Sequence, residues 1–254
     1  MVFESDGLRL AFTDEAPPTP SGALPVVLIH GFASSASVNW ADTGWIKLLV
    51  QSGRRVLAFD HRGHGASDKP HEPGRYATPA MATDVLALID HLEIAEADLI
   101  GYSMGARVAA FASLAAPDRI GSIVLGGLGI HLVDGVGLPQ SIAEAMEAAS
   151  IDALTDPMQR MFRRFAEAGQ NDLVALAACI RGSRQTLRAA DVARIGCPAL
   201  VAVGTRDRVA GDPHALAALL PRGRAFDIAD RDHNPAVGDK TFKAAVLSFL
   251  DERA

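Results

Sequence analysis

The chain has 254 residues, a length that suits one large α/β domain carrying an insertion. Hydrophobic residues make up 49% of the chain and charged residues 21%, and this composition excludes wholesale disorder. The formal net charge of −6 leaves no basic excess to neutralise phosphates, so we expect no nucleic-acid partner. The cysteines, Cys179 and Cys197, are too few for a disulfide framework.

The sequence pattern indicates neither a signal peptide nor a membrane span. Residues 1–6 are acidic and lack the apolar segment of a signal peptide. The longest apolar runs, such as residues 23–29, are far shorter than the ~18 residues that a membrane-spanning helix needs. We therefore expect a soluble, cytoplasmic protein, and the sequence does not specify its oligomeric state.

The chain begins with an antiparallel pattern and then changes to a parallel one. Two apolar runs, residues 2–4 and 8–13, flank an Asp-Gly pair and predict a hairpin. Runs rich in Val, Ile and Leu then recur without polar alternation, which predicts strands buried on both faces of a parallel sheet. These predicted strands are residues 26–29, 55–59, 98–101, 120–125, 199–203 and 224–228.

Helical patterns fill most of the gaps between the predicted strands. They cover residues 43–51, 80–92, 104–115, 213–220 and 239–250. The alternation of strand and helix predicts an α/β fold with right-handed crossovers.

The stretch from about Gly127 to Arg194 has no convincing strand pattern. Asp156-Pro157 predicts the start of a helix that ends at Gly169, and Asn171-Asp172 predicts the start of another. This stretch therefore predicts an all-helical insertion between the fourth and fifth buried strands.

The first helix of this insertion has an amphipathic pattern. Its apolar residues at i, i+3, i+4 and i+7 predict one buried face, and the arginines between them are expected on a solvated face. The apolar positions are Met158, Met161, Phe162 and Phe165, and the arginines are Arg160, Arg163 and Arg164.

The strongest chemical signal is the motif Gly101-Tyr102-Ser103-Met104-Gly105. It follows a predicted strand and opens a predicted helix, the context of a nucleophile elbow. The glycines prevent clashes as strand and helix close up, and the Ser103 hydroxyl then points out above the sheet. It also lies at a helix N-terminus, where main-chain N–H groups favour developing negative charge.

A serine nucleophile needs a base to take its proton and an acid to orient the base. His233 follows the last predicted strand, and parallel strands share their carboxyl edge, so His233 is expected beside Ser103. The acid should follow another strand. Asp207, directly after residues 199–203, is the preferred candidate, with Asp134 and Asp212 as alternatives.

The segment His30-Gly31-Phe32 follows the first buried strand and predicts an oxyanion hole. Its donors are the main-chain N–H groups of Phe32 and Met104. Gly31 permits a turn close to the substrate, and His30 is expected to orient the loop rather than to transfer protons. Trp40, together with Phe32 and apolar residues of the insertion, is expected to line the substrate pocket.

Taken together, these motifs resemble the α/β-hydrolase superfamily. The resemblance rests on His30-Gly31-Phe32, the stretch Asp60-His61-Arg62-Gly63-His64-Gly65-Ala66-Ser67-Asp68, the Ser103 motif, Asp207 and His233. It covers nearly all of residues 2–126 and 196–252.

The resemblance implies a mostly parallel eight-stranded sheet flanked by helices. It assigns residues 1–126 and 196–254 to the hydrolase core and residues 127–195 to a helical cap that determines substrate choice. It also makes the stretch 60–68 a structural turn. His61 and His64 are therefore not expected to bind a metal, and no cofactor is implied.

A serine nucleophile argues against haloalkane dehalogenases and related epoxide hydrolases, which attack through a carboxylate. The primary prediction is a serine esterase that cleaves a small carboxylic ester through an acyl-enzyme. One alternative is a C–C bond or enol-lactone hydrolase of an aromatic-degradation pathway. Another is a non-catalytic ligand-binding protein of the same fold.

In the C–C or lactone hydrolase, a cap arginine would bind a substrate carboxylate. The candidates are Arg160, Arg163, Arg164, Arg181, Arg184 and Arg188.

Overall fold

The computed structural model of the chain describes residues 1–135 and 138–252. Its strands are β1 (Val2–Ser5), β2 (Leu8–Glu15), β3 (Val26–Ile29), β4 (Val56–Phe59), β5 (Ala97–Tyr102), β6 (Ile120–Gly126), β7 (Ala199–Gly204) and β8 (Gly223–Ile228). They form one eight-stranded sheet in the order β1-β2-β4-β3-β5-β6-β7-β8. β1 and β2 run antiparallel to their neighbours and the remaining pairs are parallel. The predicted mostly parallel sheet is confirmed.

Helices cover both faces of this sheet. They are α1 (Trp45–Gln51), α2 (Thr78–His91), α3 (Met104–Ala115), α4 (Ser141–Glu147), α5 (Pro157–Ala168), α6 (Leu173–Gly182), α7 (Ala189–Val192), α8 (Pro213–Leu219), α9 (His233–Ala236) and α10 (Lys240–Asp251). In the part of the chain that the structure describes, no helix is both long enough and apolar enough to cross a membrane.

The continuous apolar pattern of β3 follows from its two covered faces. Val27 and Ile29 pack into a cluster with residues of α2, α3 and α8. Val26 and Leu28 point the other way, into a cluster with residues of α1 and α10. Both faces are buried, so every position of β3 is apolar.

Only helices and short helical turns connect β6 to β7 within the described residues. Asp156 accepts a hydrogen bond from Gln159 N, and Asp172 accepts from Val174 N and Ala175 N, so the predicted starts of α5 and α6 are confirmed. The division into a core and a 127–195 cap stays a prediction. Residues 136–137 of that cap and residues 253–254 of the core lie outside the described residues.

The predicted orientation of α5 is right for Phe162, which is buried, and for Arg164, which is exposed, but wrong for three other residues. Met158 and Met161 are 39% and 43% exposed, whereas Phe162 and Arg163 are buried. Arg163 Nη1 donates to the carbonyl oxygens of Ala145 at 2.8 Å and Ala148 at 2.9 Å. Carbonyls at the carboxyl end of α4 lack intrahelical partners. Arg163 therefore turns inward to pair with them instead of lying on a solvated face.

Candidate active site

Ser103 occupies a tight turn between β5 and α3. Its φ of 55° and ψ of −112° lie where residues with side chains are rarely found. A Cβ on Gly105 would lie 2.0 Å from the carbonyl oxygen of Ile29, and one on Gly101 would lie 2.4 Å from that of Gly105. Only glycine fits at these positions, because α3 packs directly against β3 and β5. The turn presents Ser103 at the carboxyl edge of the sheet.

A chain of hydrogen bonds connects the three predicted catalytic side chains. His233 Nε2 lies 3.0 Å from Ser103 Oγ, and His233 Nδ1 lies 2.7 Å from Asp207 Oδ2. The Asp207 side chain is fully buried, and its Oδ1 accepts from Val209 N at 2.8 Å and Ala210 N at 3.1 Å. This arrangement can move a proton from the serine hydroxyl to an imidazole held in one orientation.

Neither alternative aspartate occupies the position of Asp207. Asp212 caps α8, where its Oδ1 accepts from His214 N at 2.8 Å and Ala215 N at 3.3 Å. Asp134 is exposed. Of the three candidates, the structure brings only Asp207 to His233.

Two main-chain N–H groups next to Ser103 are available to a ligand. Neither Phe32 N nor Met104 N donates a hydrogen bond to another residue in the described ranges. Both residues line a cavity at Ser103. Gly31 N donates to the side-chain oxygen of Asn39 at 2.8 Å, which holds the loop before Phe32 in place. Donors fixed in this way can stabilise a developing oxyanion.

His30 contributes to the loop through its ring nitrogens. Nε2 accepts from His61 N at 3.0 Å, so Nδ1 carries the proton and donates to the carbonyl oxygen of Gly31 at 2.7 Å. The ring lies 4.7 Å from that of His61 and 5.2 Å from that of His64. Burial lowers the pKa of all three imidazoles, that of His64 to about 3. Among the residues described, no group of His, Cys, Asp or Glu is arranged to hold a metal ion.

Two cavities meet at Ser103. The first, which we call the Arg107 cavity, has a volume of about 50 Å³. The second, the His233 cavity, has a volume of about 220 Å³. Phe32, Ser103 and Leu138 line both. The Arg107 cavity is otherwise lined by Met104, Arg107, Gly127, Leu128, His131, Ile180, Ser183 and Val209. The His233 cavity is otherwise lined by Gly31, Ser34, Val38, Asn39, Thr43, Tyr102, Phe162, Phe165, His233, Asn234 and Val237.

Trp40 does not line either cavity, so its predicted place in the pocket is wrong. It is fully buried and packs edge to face against Trp45, with ring centroids 6.1 Å apart. The reason is the helical turn Ser37–Ala41, which directs Trp40 into the core beneath α1. Val38 and Asn39 of the same turn line the His233 cavity instead.

The candidate arginines of the insertion also do not enter the cavities. None of the six candidates lines either cavity. Arg181 pairs with Glu147, and Arg188 pairs with Asp191. The arginine that does line the site is Arg107 of α3. Sequence patterns did not single it out, although it is the one charged residue of α3.

Tyr102 is a second residue of the site that sequence patterns did not reveal. Its hydroxyl donates to the main-chain carbonyl oxygen of His233, and the two rings lie 5.6 Å apart. Burial raises the pKa of Tyr102 well above its ordinary value, so the phenol stays a neutral donor. Because Tyr102 directly precedes Ser103, this hydrogen bond ties the backbone of His233 to the turn that carries Ser103.

Comparison with known proteins places these features in a family context. A family described by the alpha/beta hydrolase fold matches residues 25–147. A non-heme chloroperoxidase of Streptomyces lividans is 32% identical over 250 residues, covering 85% of this chain and 84% of that protein. A solved structure of a hydrolase from Pseudomonas aeruginosa superposes with a TM-score of 0.76 at 28% identity, covering 97% of this chain and 96% of the other.

Some relatives of higher identity match only in part. The dihydrolipoyllysine-residue acetyltransferase component of an acetoin cleaving system from Pseudomonas putida is 37% identical over 144 residues. That match covers 56% of this chain and 36% of the relative. The chain spans less than half the length of several of the curated relatives that it matches.

The Tyr102→Phe variant should lower kcat for ester hydrolysis, the activity that the sequence predicts, by about tenfold with little change in KM. The variant removes the hydroxyl that holds the backbone of His233, the predicted general base, and small displacements of such a base reduce the rate more than binding. Tyr76→Phe is the matched control, because its buried hydroxyl also donates to a main-chain carbonyl, that of Pro70. An unchanged kcat in Tyr102→Phe, measured on protein of wild-type thermal stability, would contradict this positioning role.

The buried imidazoles predict that the protein loses stability in acid. Their folded-state pKa values lie below the ordinary 6.5. As the pH falls below about 6.5, these imidazoles therefore bind protons in the unfolded chain but not in the folded chain. The free energy of unfolding should be highest above pH 6.5 and should decrease towards pH 3.

His61→Leu removes the contribution of one imidazole to this loss of stability in acid. It breaks no side-chain hydrogen bond, because neither ring nitrogen of His61 has a hydrogen-bond partner among the described residues. Urea unfolding at pH 7.5 and 5.0 should show a smaller acid loss in this variant, by up to about 1.4 kcal/mol per pH unit. His91→Gln, at an exposed position, serves as the control. Equal losses in His61→Leu and the wild type would refute the prediction.

Proposed function

Because the chain belongs to the α/β-hydrolase family, we propose that it is a serine hydrolase that cleaves a small carboxylic ester. Membership of this family supports a hydrolase activity in general. The observation that carries the finer proposal is the hydrogen-bonded chain from Ser103 through His233 to Asp207. An aligned serine, imidazole and buried carboxylate form the arrangement that acyl transfer requires.

In the proposed reaction, Ser103 Oγ attacks the ester carbonyl carbon while His233 Nε2 takes the hydroxyl proton. The Asp207 carboxylate holds the imidazole and stabilises its positive charge. The N–H groups of Phe32 and Met104 donate to the oxyanion of the tetrahedral intermediate. The carbon–oxygen bond to the alcohol then breaks, and His233 gives its proton to the departing oxygen.

A water molecule completes the cycle by the same steps. The oxygen of this water attacks the acyl carbon while His233 takes a proton from the water. The second tetrahedral intermediate then collapses to release the carboxylic acid. Ser103 regains its proton from His233. Substrate and water are consumed, and one acid and one alcohol are formed, so the reaction needs no redox partner.

The two cavities favour a small substrate. The Arg107 cavity, at about 50 Å³, has room for only a short chain, and the His233 cavity is larger at about 220 Å³. The C–C and enol-lactone alternative, with a carboxylate bound by an arginine of the insertion, has weaker support, since none of the six candidate arginines lines either cavity.

Initial rates on p-nitrophenyl esters from acetyl to dodecanoyl test this proposal. We expect rates to peak at short acyl chains and to fall by about a thousandfold or more in Ser103→Ala, since loss of the nucleophile removes the acyl-enzyme route. Ser113→Ala is the matched control, because Ser113 lies on the same helix, lines neither cavity, and donates its hydroxyl to the carbonyl of Ala109.

Two outcomes would contradict the proposal. Ser103→Ala could keep more than about a tenth of the wild-type rate, which would place the chemistry elsewhere. Alternatively, the wild type could leave the whole ester series intact yet cleave a dienoic keto-acid, which would assign the same residues to C–C bond hydrolysis.

A further inference from the structure

Arg107 lies one helical turn after Ser103 on α3 and lines the Arg107 cavity. The residue is 4% exposed. Its guanidinium donates to three main-chain carbonyl oxygens, those of Gln185 at 3.0 Å, His131 at 2.9 Å and Gly135 at 3.1 Å. These bonds fix the orientation of the guanidinium, but they do not neutralise its charge.

Arg107 differs from the other buried arginines because it has no acidic partner among the residues that the structure describes. Three of the buried arginines pair with carboxylates: Arg54 with Asp251, Arg62 with Asp84, and Arg163 with Glu167. Across residues 1–135 and 138–252, no carboxylate lies within ion-pairing distance of Arg107. Burial lowers the pKa of Arg107 to about 10, which leaves it a cation at neutral pH. A buried cation without a counter-ion is costly, and an anion bound in the cavity would offset that cost.

The position of His233 indicates which part of the substrate meets this cation. His233 lines the second cavity but not the Arg107 cavity. In the proposed reaction His233 gives its proton to the departing alcohol, so the alcohol lies in the His233 cavity. The acyl chain then extends from Ser103 in the other direction, past Met104 and towards Arg107.

We propose that the Arg107 cavity is a carboxylate-binding subsite for the acyl part of the substrate. The preferred substrates are then monoesters of short dicarboxylic acids. Leu128, Ile180 and Val209 provide apolar walls for the methylene groups, and Arg107 binds the free carboxylate at the end of the chain. The apolar side chains of Val38, Phe162 and Val237 suit an apolar alcohol.

This inference rests on the proposed ester hydrolysis and adds no new bond-breaking step. Water cleaves the single ester bond, and the products are an alcohol and a dicarboxylate.

Matched pairs of benzyl esters test the inference on the intact protein. The charged members are the monobenzyl esters of succinic, glutaric and adipic acids. In each neutral partner an isopropyl group replaces the carboxylate: benzyl 4-methylpentanoate, 5-methylhexanoate and 6-methylheptanoate. Release of benzyl alcohol gives kcat/KM for each ester. We expect the wild type to prefer the charged member of at least one pair by about tenfold or more.

Arg107→Met should reduce this charged-to-neutral ratio by about thirtyfold or more, because it removes one partner of a buried charge pair. Arg107→Lys should restore part of the preference. Arg160→Met is the matched control, because Arg160 also bonds to main-chain carbonyls but lies outside both cavities. The ratio is measured within one protein, so it does not depend on the fraction of folded enzyme.

The outcomes separate this inference from the proposed function. If the wild type cleaves the neutral esters but shows no preference for a charged partner, the carboxylate subsite is wrong and the esterase proposal survives. A preference that persists in Arg107→Met would also overturn the subsite. If the wild type cleaves neither member of any pair nor any p-nitrophenyl ester, the proposed function fails, and the subsite fails with it.

Discussion

The close approach of α3 to β3 is the constraint on which the rest of the site depends. A Cβ on Gly105 would lie 2.0 Å from the carbonyl oxygen of Ile29, so a side chain there would force helix and strand apart. The same approach holds Ser103 in its rarely occupied backbone conformation, with φ at 55°. Because Ile29 also ends β3, this contact sets the distance between Ser103 and the oxyanion loop that follows. One packing contact thus fixes both the proposed nucleophile and the proposed amide donors.

The remaining groups reach Ser103 because parallel strands end at one edge of the sheet. Asp207 follows β7 and His233 follows β8, and the loops that carry them bond to each other through Arg206 N and the carbonyl oxygen of Arg231 at 3.0 Å. Tyr102 adds a direct tie from β5 to the His233 backbone. The site therefore rests on strand ends held by main-chain hydrogen bonds, which supports preorganised acyl-transfer chemistry. The insertion completes the cavities through Leu138, Phe162 and Ile180.

Sequence patterns predicted those features that depend on backbone periodicity and strand order. Runs such as residues 26–29 are apolar at every position because both faces of the sheet are covered, so the strands could be predicted within two residues of their bounds. Strand ends in turn brought Asp207 and His233 together. The failures concern long side chains, whose direction is set by tertiary partners. Trp40 turns into the core, and Arg163 turns inward to the carbonyls at the carboxyl end of α4. Arg107 could not be distinguished from a surface arginine, because its exposure depends on segments distant in sequence.

The central claim is that Ser103 is a nucleophile activated by His233, and covalent labelling with a fluorophosphonate tests it most directly. The wild type should take up one label per chain, peptide mapping should locate it on Ser103, and esterase activity should fall in proportion to labelling. His233→Ala should label far more slowly under the same conditions, since the serine hydroxyl then has no base. Ester hydrolysis that continues in fully labelled protein, or a label that forms on a different residue, would contradict the account.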